Sequence, residues 1–260
     1  MQYIGGKHRQ GKVIREFVKR LYAPGEFYIE PFCGALNSAC YMSEFVDSMF
    51  LSDIQRPLIK LWQWLIHENG QLPDVVTEEM YQEYKRMNNP EDPLTAYIGY
   101  GFSFGGKLWG GYARHFKGQR PEGYQEKESE KLKASTMKKV ETMKKVKCLN
   151  FNCCGYEEYS GIYDAFFYLD PPYINGTKQN SKLQFDHNSF WEFARKLSKE
   201  NKVLITEMVA PDDFTPIYNF GDTVVRHNMA RKDLVGSKQE KIYVYKDGKI
   251  NPEELNEQKA

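Results

Sequence analysis

Hydrophobic positions along the chain follow two spacings, one typical of amphipathic helices and one typical of short buried strands. Helical spacing predicts helices at residues 12–22, 36–46, 57–67 and 185–199. Short apolar runs predict strands at residues 27–30, 48–53, 146–152, 165–169, 202–207, 222–226 and 241–245. Because most of these strands alternate with helices, we expect an α/β fold in which a mostly parallel sheet has helices on both faces.

The alternation stops in the middle of the chain and again near its end. Residues 55–146 are mostly helical and rich in glycine and aromatic residues, which predicts a lobe inserted into a core of residues 1–54 and 147–246. The last two predicted strands have no helix between them, so they indicate an antiparallel hairpin at one sheet edge. A length of 260 residues suits one core with an inserted lobe, and residues 247–260 are expected to form a loose tail.

Charge is distributed unevenly, although the whole chain has a net charge of only +1. Residues 101–147 contain twelve Lys and Arg residues against five Glu, so this segment carries +7 and the remainder −6. A solvated helix face would explain such a run, and so would contact with a polyanion. Any binding of nucleic acid must depend on this local patch, because the total charge provides no attraction.

The cysteines, histidines and apolar runs exclude several classes of protein. Five cysteines without a Cys-x-x-Cys pair predict neither a disulfide framework nor a structural zinc site. The five histidines lack metal-ligand spacing, so we predict no bound metal. No run of 18 apolar residues occurs, and the first residues lack the apolar core of a signal peptide. We therefore expect a cytoplasmic protein with no membrane partner.

The sharpest chemical feature is the sequence Asp170-Pro171-Pro172-Tyr173, which directly follows the apolar run 165–169. Ligands of open α/β sheets bind at the carboxyl ends of strands. Two consecutive prolines make the turn stiff and leave carbonyl groups free to accept hydrogen bonds. A planar base with an amino group could donate to Asp170 and to the Pro171 carbonyl while stacking on Tyr173. The alternative interpretation is an ordinary turn that ends a strand.

A second feature is the turn at residues 30–35, Glu-Pro-Phe-Cys-Gly-Ala, which contains Glu30, Phe32 and Gly34 and follows the first predicted strand. An acid and a glycine turn leading into a helix are typical of nucleotide-like cofactor sites. Asp53 ends the next strand 23 residues after Glu30, close to the separation of about 20 residues at which an acid binds ribose hydroxyls. A helix N-cap is the alternative role for Asp53.

A third feature is the sequence Tyr-Ile-Gly-Gly-Lys at residues 3–7, which places two glycines beside Lys7. Glycines allow close backbone approach, and a lysine supplies positive charge for a carboxylate or phosphate. Taken alone, this stretch would be a frayed chain start.

Along the chain, the order is the motif at residues 3–7, the turn at 30–35, a basic insertion and the turn at 170–173. This arrangement resembles the Dam-type (alpha-class) DNA adenine methyltransferases of bacteria and phages. Four further stretches are similar to family sequences, namely FSFGGKLWGGYAR at 102–114, DPPYINGT at 170–177, FDHNSFWEFARKLS at 185–198 and KVLITEMVAPDDF at 202–214. The similarity extends to about Tyr245. The three motifs and the insertion, in this order over that span, are far more specific than any one of them.

The resemblance implies a Rossmann-like methyltransferase sheet, S-adenosylmethionine as methyl donor, and the exocyclic amine of an adenine flipped out of double-stranded DNA as acceptor. It assigns donor contacts to Tyr3, Lys7, Asp53 and Asp170 and to the turn containing Glu30, Phe32 and Gly34. It also implies that Asp170, Pro171, Pro172 and Tyr173 form the catalytic turn that holds the base. In the insertion, which would be the target-recognition lobe, Lys107 and Arg114 are the candidate DNA contacts.

Three positions depart from the family pattern. Leu36 stands where the family usually has a second glycine, which affects how closely the backbone approaches the donor. Tyr3 replaces a more usual tryptophan, and Gly155 occupies a place often held by aspartate. The contact to the adenine ring of the donor is therefore left unassigned.

Other functions fit parts of the same pattern. An RNA adenine methyltransferase and an enzyme acting on the cytosine amine use the same chemistry, although the cytosine enzymes commonly carry serine at the position of Asp170. A non-catalytic DNA-binding relative should have lost Lys7, Asp53 or Asp170, and all three are present. The DNA recognition sequence and the oligomeric state are not predicted, with a monomer as the simplest form.

Overall fold

The computed structural model describes residues 1, 3, 5–7, 10–113, 122–173, 185–221 and 239–256. Its helices are α1 (Gly11–Leu21), α2 (Ala39–Met42), α3 (Arg56–His67), α4 (Glu78–Met87), α5 (Pro93–Gly101), α6 (Tyr124–Met143), α7 (His187–Glu200) and α8 (Pro252–Asn256). Its strands are β1 (Tyr28–Glu30), β2 (Ser48–Ser52), β3 (Cys148–Asn152), β4 (Phe166–Leu169), β5 (Lys202–Glu207), β6 (Phe214–Asn219) and β7 (Lys241–Tyr245).

The strands form one seven-stranded sheet with the order β3-β2-β1-β4-β5-β7-β6. The first five strands pair in parallel, whereas β7 is antiparallel to both β5 and β6. Every residue of β1 and β4 is buried, as expected for central parallel strands covered on both faces. The strand order reverses between β1 and β4, and such a reversal opens a crevice at the carboxyl ends of the strands. The predicted α/β class is confirmed.

The edge hairpin is present, but its outer strand differs from the one expected. Strand β7 pairs with β6, whereas the predicted strand at 222–226 lies outside the described residues. The apolar pattern did not reveal β6 because Pro216 interrupts it, and the register shifts between Pro216 and Tyr218. A proline that cannot donate to the ladder is tolerated on this edge strand.

The helix predicted at residues 36–46 is much shorter in the structure, where α2 covers only Ala39–Met42. Leu36 has a φ of 57°, in the left-handed region that interrupts a helix. Its side chain is nevertheless fully buried in the main hydrophobic cluster. The residues after β1 therefore form a tight turn that is anchored to the core by Leu36.

Two hydrophobic clusters cover the two faces of the sheet. The larger one includes buried residues of α1, α3 and α5. The smaller one contains Phe167 of β4 together with Phe190 and Trp191 of α7. The layers therefore hold the carboxyl ends of the parallel strands in fixed positions.

The segment predicted to be an insertion contains α3, α4, α5 and α6, and its described residues add no strand to the sheet. Helix α3 packs on α5, on α6 and on β3. The segment expected to be a loose tail, residues 247–260, contains buried Ile250 and α8, where Leu255 is also buried. None of the helices in the described residues is long and apolar enough to span a membrane.

Replacing Leu36 separates packing from backbone strain. Leu36→Ala should lower the free energy of unfolding by about 2–4 kcal/mol, because it leaves a core cavity. Leu36→Gly should be at least as stable as Leu36→Ala, since glycine relieves about 1 kcal/mol of left-handed strain. Urea unfolding of both variants measures the difference.

The same pair of changes at Leu58, a buried residue of α3, is the control. In that helix the glycine variant should be less stable than the alanine variant by about 1 kcal/mol. If glycine were equally unfavourable at position 36, the left-handed turn would not be the reason for the short α2.

Candidate active site

Acidic residues stand at or directly after the carboxyl ends of three parallel strands. Glu30 ends β1, Asp53 follows β2 and Asp170 follows β4. Because these strands are parallel, the three acids lie along the same edge of the sheet. Glu30 is fully buried, Asp53 is 7% exposed and the Asp170 side chain is 15% exposed. Each carboxylate therefore needs compensating donors from the protein.

Asp170 receives its donors on one oxygen. Its Oδ1 lies 2.6 Å from Lys7 Nζ, and it accepts hydrogen bonds from Thr206 Oγ1 at 2.9 Å and from the Tyr173 hydroxyl at 3.2 Å. Its Oδ2 receives no donor from any residue that the structure describes. Asp170 is thus held through Oδ1, and among the described residues its Oδ2 keeps its acceptor positions for a ligand.

Lys7 lies between two carboxylates. Its ammonium contacts Asp170 and also Glu240 Oε1 at 3.3 Å, and it donates to the Gly5 carbonyl at 3.3 Å. These contacts account for its three N–H donors. The ammonium also lies 4.6 Å from the centre of the Tyr173 ring, within the range of a cation–π contact.

Glu240 belongs to this cluster, although it is not among the site residues predicted from the sequence. It is 6% exposed, and its Oε1 accepts a hydrogen bond from the Tyr173 hydroxyl at 2.6 Å. The signal was an acid directly before the apolar run 241–245. Because β7 is antiparallel to β5, its first residues lie at the edge where the parallel strands end.

The ionisation of the cluster reflects burial and the ratio of two acids to one lysine. Burial raises the pKa of Asp170, and the Glu240 charge adds to this increase although Lys7 opposes it. Burial acts to lower the pKa of Lys7, but the two carboxylates outweigh it and hold that pKa above its usual value. Lys7 is therefore a cation throughout the neutral range.

The two prolines and Tyr173 complete the turn after β4. Pro171 is buried, whereas Pro172 and Tyr173 are partly exposed. Within the described residues no donor reaches the Pro171 carbonyl. Burial raises the pKa of Tyr173 well above its usual value, so the phenol keeps its proton. Two acceptors in consecutive residues, Asp170 Oδ2 and the Pro171 carbonyl, therefore have no donor among the described residues.

Asp53 holds the turn that follows β1. Its Oδ2 accepts a hydrogen bond from the Gly34 amide at 3.0 Å, and its Oδ1 accepts one from the Gln55 amide at 2.8 Å. Burial raises the pKa of Asp53 to about 6, and these two amides limit the increase. Since a carboxylate has about four acceptor positions, each oxygen keeps one for a ligand hydroxyl.

Tyr3 packs against the same turn. Gly34 has a φ of 46°, and a Cβ at this position would lie 2.7 Å from Cε1 of Tyr3. The Tyr3 ring also meets the Tyr100 ring edge to face, with centroids 5.2 Å apart. The Gly34 carbonyl accepts a hydrogen bond from Trp62 Nε1 at 2.9 Å. The backbone of the turn is therefore fixed, and only glycine allows this approach.

Glu30 and Phe32 face the interior. Glu30 accepts a hydrogen bond from the Tyr28 hydroxyl at 2.8 Å and a second one from the Ser38 hydroxyl. Burial raises the pKa of Glu30 to about 8, although both hydroxyls act to lower it. The Phe32 ring packs against Tyr156 and Phe190. Both residues therefore support the turn from within the core.

The two predicted DNA contacts differ in how far the structure describes them. Lys107 is partly exposed and belongs to the loop closed by the bridge between Ser103 and Tyr112, whereas Arg114 lies outside the described residues. Phe104 in the same loop is 65% exposed. A loop with an exposed aromatic ring beside a cation is suited to contact nucleic acid.

Several lysines of the basic segment are occupied within the protein. Lys131, Lys133 and Lys147 pair with Glu128, Asp74 and Asp47, respectively. Lys139 donates to the Ala35 carbonyl and to Asn37 Oδ1. Within the basic segment, residues 107–120 are a stretch of sequence with four Lys and Arg residues and no acid. The described residues contain no cluster of side chains suited to a metal ion.

Comparison with known families gives one result. A family profile described as D12 class N6 adenine-specific DNA methyltransferase matches residues 3–98 and 110–211. The matched segments contain Lys7, Glu30, Asp53 and Asp170, and they end before Glu240. No curated protein matches the chain.

Glu30→Gln should stabilise the protein in a pH-dependent way. The pKa of Glu30 is about 8 in the folded protein and 4.5 when unperturbed. The folded state therefore binds the proton more tightly, and stability is lost as the pH rises from 4.5 to 8. Because glutamine mimics the protonated acid, the variant should melt about 5 °C or more above the parent at pH 8.5.

Thermal melts of both proteins from pH 5 to pH 9 check this expectation. The difference in Tm should be small at pH 5 and should grow as the pH rises. A constant difference across this range would mean that Glu30 is already ionised in the folded protein at pH 5.

Proposed function

The chain belongs to the D12 class N6 adenine-specific DNA methyltransferases, and from this premise we propose the donor, the substrate form and the residue roles. S-adenosylmethionine is the methyl donor, and the acceptor is the N6 amine of an adenine flipped out of duplex DNA. The observation that supports this proposal is that Asp170 is fixed through Oδ1, while its Oδ2 and the carbonyl of the next residue, Pro171, receive no donor from the described residues.

The open acceptors match an exocyclic amine. One amine proton is donated to Asp170 Oδ2 and the other to the Pro171 carbonyl. The amine lone pair is normally delocalised into the ring, and two in-plane acceptors favour the geometry in which it can attack. Asp170 therefore orients the amine and stabilises the positive charge that develops on it. Alignment of the nitrogen with the reacting carbon supplies much of the remaining rate.

Tyr173 supports capture of the base. Taking a base out of the duplex costs a few kcal/mol, and stacking on an aromatic ring returns roughly 1–3 kcal/mol. The Tyr173 ring is partly exposed, and the hydrogen bonds of its hydroxyl group to Glu240 and Asp170 fix its orientation. We assign Lys7 to this side of the cleft, because its N–H groups meet Asp170, Glu240 and Gly5.

The residues around Asp53 fit S-adenosylmethionine. That donor, when bound, supplies an electrophilic methyl group on a sulfonium. The spare acceptor positions of Asp53 suit the ribose hydroxyls, and Gly34 and Tyr3 form the floor near its amino-acid part. Ile54, which is 51% exposed directly after Asp53, offers an apolar surface for the adenine ring. Glu30 and Phe32 act on this site by supporting the turn.

Residues 107–120 are the proposed DNA-facing segment. Its four cations have no acid between them and neutralise phosphates, and Phe104 lies three residues before the segment. The compartment of action is proposed to be the cytoplasm, since the five cysteines are free thiols.

Methyl transfer from labelled S-adenosylmethionine to unmethylated duplex DNA, followed by nucleoside analysis, tests this function. The parent protein should produce N6-methyladenine within one short sequence motif. Asp170→Ala should lower the single-turnover rate by about a thousandfold or more, and Asp170→Asn by at least about a hundredfold, because both remove the oriented carboxylate.

Asp164→Asn is the matched control, because Asp164 precedes the other end of β4 and pairs with Lys249. It should keep the parent rate within about twofold. A near-normal rate for Asp170→Asn would contradict the role of its charge. Transfer to RNA in preference to DNA would replace duplex DNA as the proposed substrate.

Replacing Lys107, Arg114, Lys117 and Arg120 together by glutamine should weaken DNA binding and its salt dependence. The slope of log K against log salt should fall by up to about 3.6, at about 0.9 for each phosphate contact. Fluorescence anisotropy of labelled duplex at several KCl concentrations measures both quantities.

A triple variant with glutamine at Lys131, Lys133 and Lys147 is the control, because these lysines pair within the protein. Its affinity and slope should stay close to those of the parent. Equal losses in the two variants would assign DNA binding to the whole basic segment.

A further inference from the structure

Glu240 is a buried acid outside the motifs that define the catalytic turn. It also lies beyond the residues matched by the family profile, which end at residue 211. A buried charge without a partner is costly, so its surroundings indicate what it does. Among the described residues, its side chain contacts Lys7, Tyr173 and Gln10.

The contacts of Glu240 complete a closed ring of four side chains, which are those of Glu240, Lys7, Asp170 and Tyr173. Glu240 Oε1 lies 3.3 Å from Lys7 Nζ and 2.6 Å from the Tyr173 hydroxyl. The same ammonium and the same hydroxyl lie 2.6 Å and 3.2 Å from Asp170 Oδ1. Glu240 therefore shares both donors with Asp170 without contacting the open oxygen Oδ2.

The phenol proton can be donated strongly to only one of the two acids. The shorter distance directs it to Glu240, at 2.6 Å against 3.2 Å to Asp170. Glu240 also attracts the Lys7 ammonium away from a purely pairwise contact with Asp170. Without this second acceptor, both donors would turn to Asp170 and compete with the substrate amine for its lone pairs.

Glu240 is held in place by contacts other than those to Lys7 and Tyr173. Its Oε2 accepts a hydrogen bond from Gln10 Nε2 at 3.1 Å, and its carbonyl accepts one from the Phe220 amide at 3.0 Å. The next residue, Lys241, pairs with Glu207 of β5. Lys7, Tyr173 and Glu240 all lie outside regular secondary structure, but Glu240 directly precedes β7. The sheet edge therefore anchors two loop residues through one carboxylate.

We propose that Glu240 is a positioning residue for methyl transfer, which holds Lys7 and Tyr173 so that Oδ2 of Asp170 stays free for the amine. This inference rests on the proposed function and deepens it. Glu240 does not touch the reacting atoms, so its effect is on the rate of the chemical step and not on the affinity for donor or DNA.

A double-mutant cycle of Glu240→Gln and Tyr173→Phe tests this role, since both changes keep side-chain volume and the aromatic ring. Each single variant should lower the single-turnover rate by about 10–100-fold while donor and DNA affinities stay within about threefold. If the two residues act through their shared contact, the double variant should be no slower than the slower single variant. Multiplying losses would overturn the proposal.

Asp213→Asn is the matched control, because Asp213 directly precedes β6 as Glu240 precedes β7. It pairs with Arg195, and its rate should stay within about twofold of the parent. A parent-like rate for Glu240→Gln would overturn the positioning role.

The same four proteins are also unfolded in urea without donor or DNA, which separates this inference from the proposed function. Coupling in both rate and stability supports the positioning role. Coupling in stability with independent rate losses overturns it, because the contact would then be merely structural. If the parent protein methylated no DNA, the proposed function would fail, and the stability cycle alone would decide whether Glu240 holds Tyr173.

Discussion

The rest of this structure depends on the burial of three carboxylates along one edge of a parallel sheet. Each of them is compensated differently. Glu30 meets two hydroxyl groups, Asp53 meets two backbone amides, and Asp170 meets a lysine and two hydroxyl groups. These contacts determine which carboxylate oxygens can still accept a hydrogen bond from a ligand. Glu30 is enclosed, whereas Asp53 and Asp170 keep acceptor positions that no described residue fills. It also fixes the turn after β1 and the segment before α1.

The basic segment connects this edge to the proposed DNA-facing residues 107–120. Lys139 of α6 donates to the Ala35 carbonyl and to Asn37, both in the turn after β1. Burial lowers the pKa of Lys139 to about 8, which shows how far it is withdrawn from solvent. Helix α6 begins shortly after the proposed DNA-facing residues and packs against α2 and α3. Lysines in one sequence run therefore divide into internal and external groups, which sequence charge alone does not distinguish.

Local pattern was sufficient for much of the fold and for part of the site. The buried strands β1 and β4 are short apolar runs, and an acid ends the first and directly follows the second. The ends of both strands and their acids could therefore be located from the sequence. Strand β6 could not, because Pro216 interrupts its pattern and an edge strand needs no apolar continuity. The short α2 depends on the left-handed backbone at Leu36, and nothing in a leucine predicts that conformation.

The sequence marks Glu240 only as an acid before a predicted strand, because its place in the site arises from the antiparallel pairing of β7 with β5. That strand returns an acid to the edge where the parallel strands end, 70 residues after Asp170. A simple ion pair of Asp170 with Lys7 would be neutral and would weaken the carboxylate as an acceptor. The second acid gives the cluster one excess negative charge. Positive charge develops on the amine as it attacks, so this excess stabilises the transition state more than the ground state.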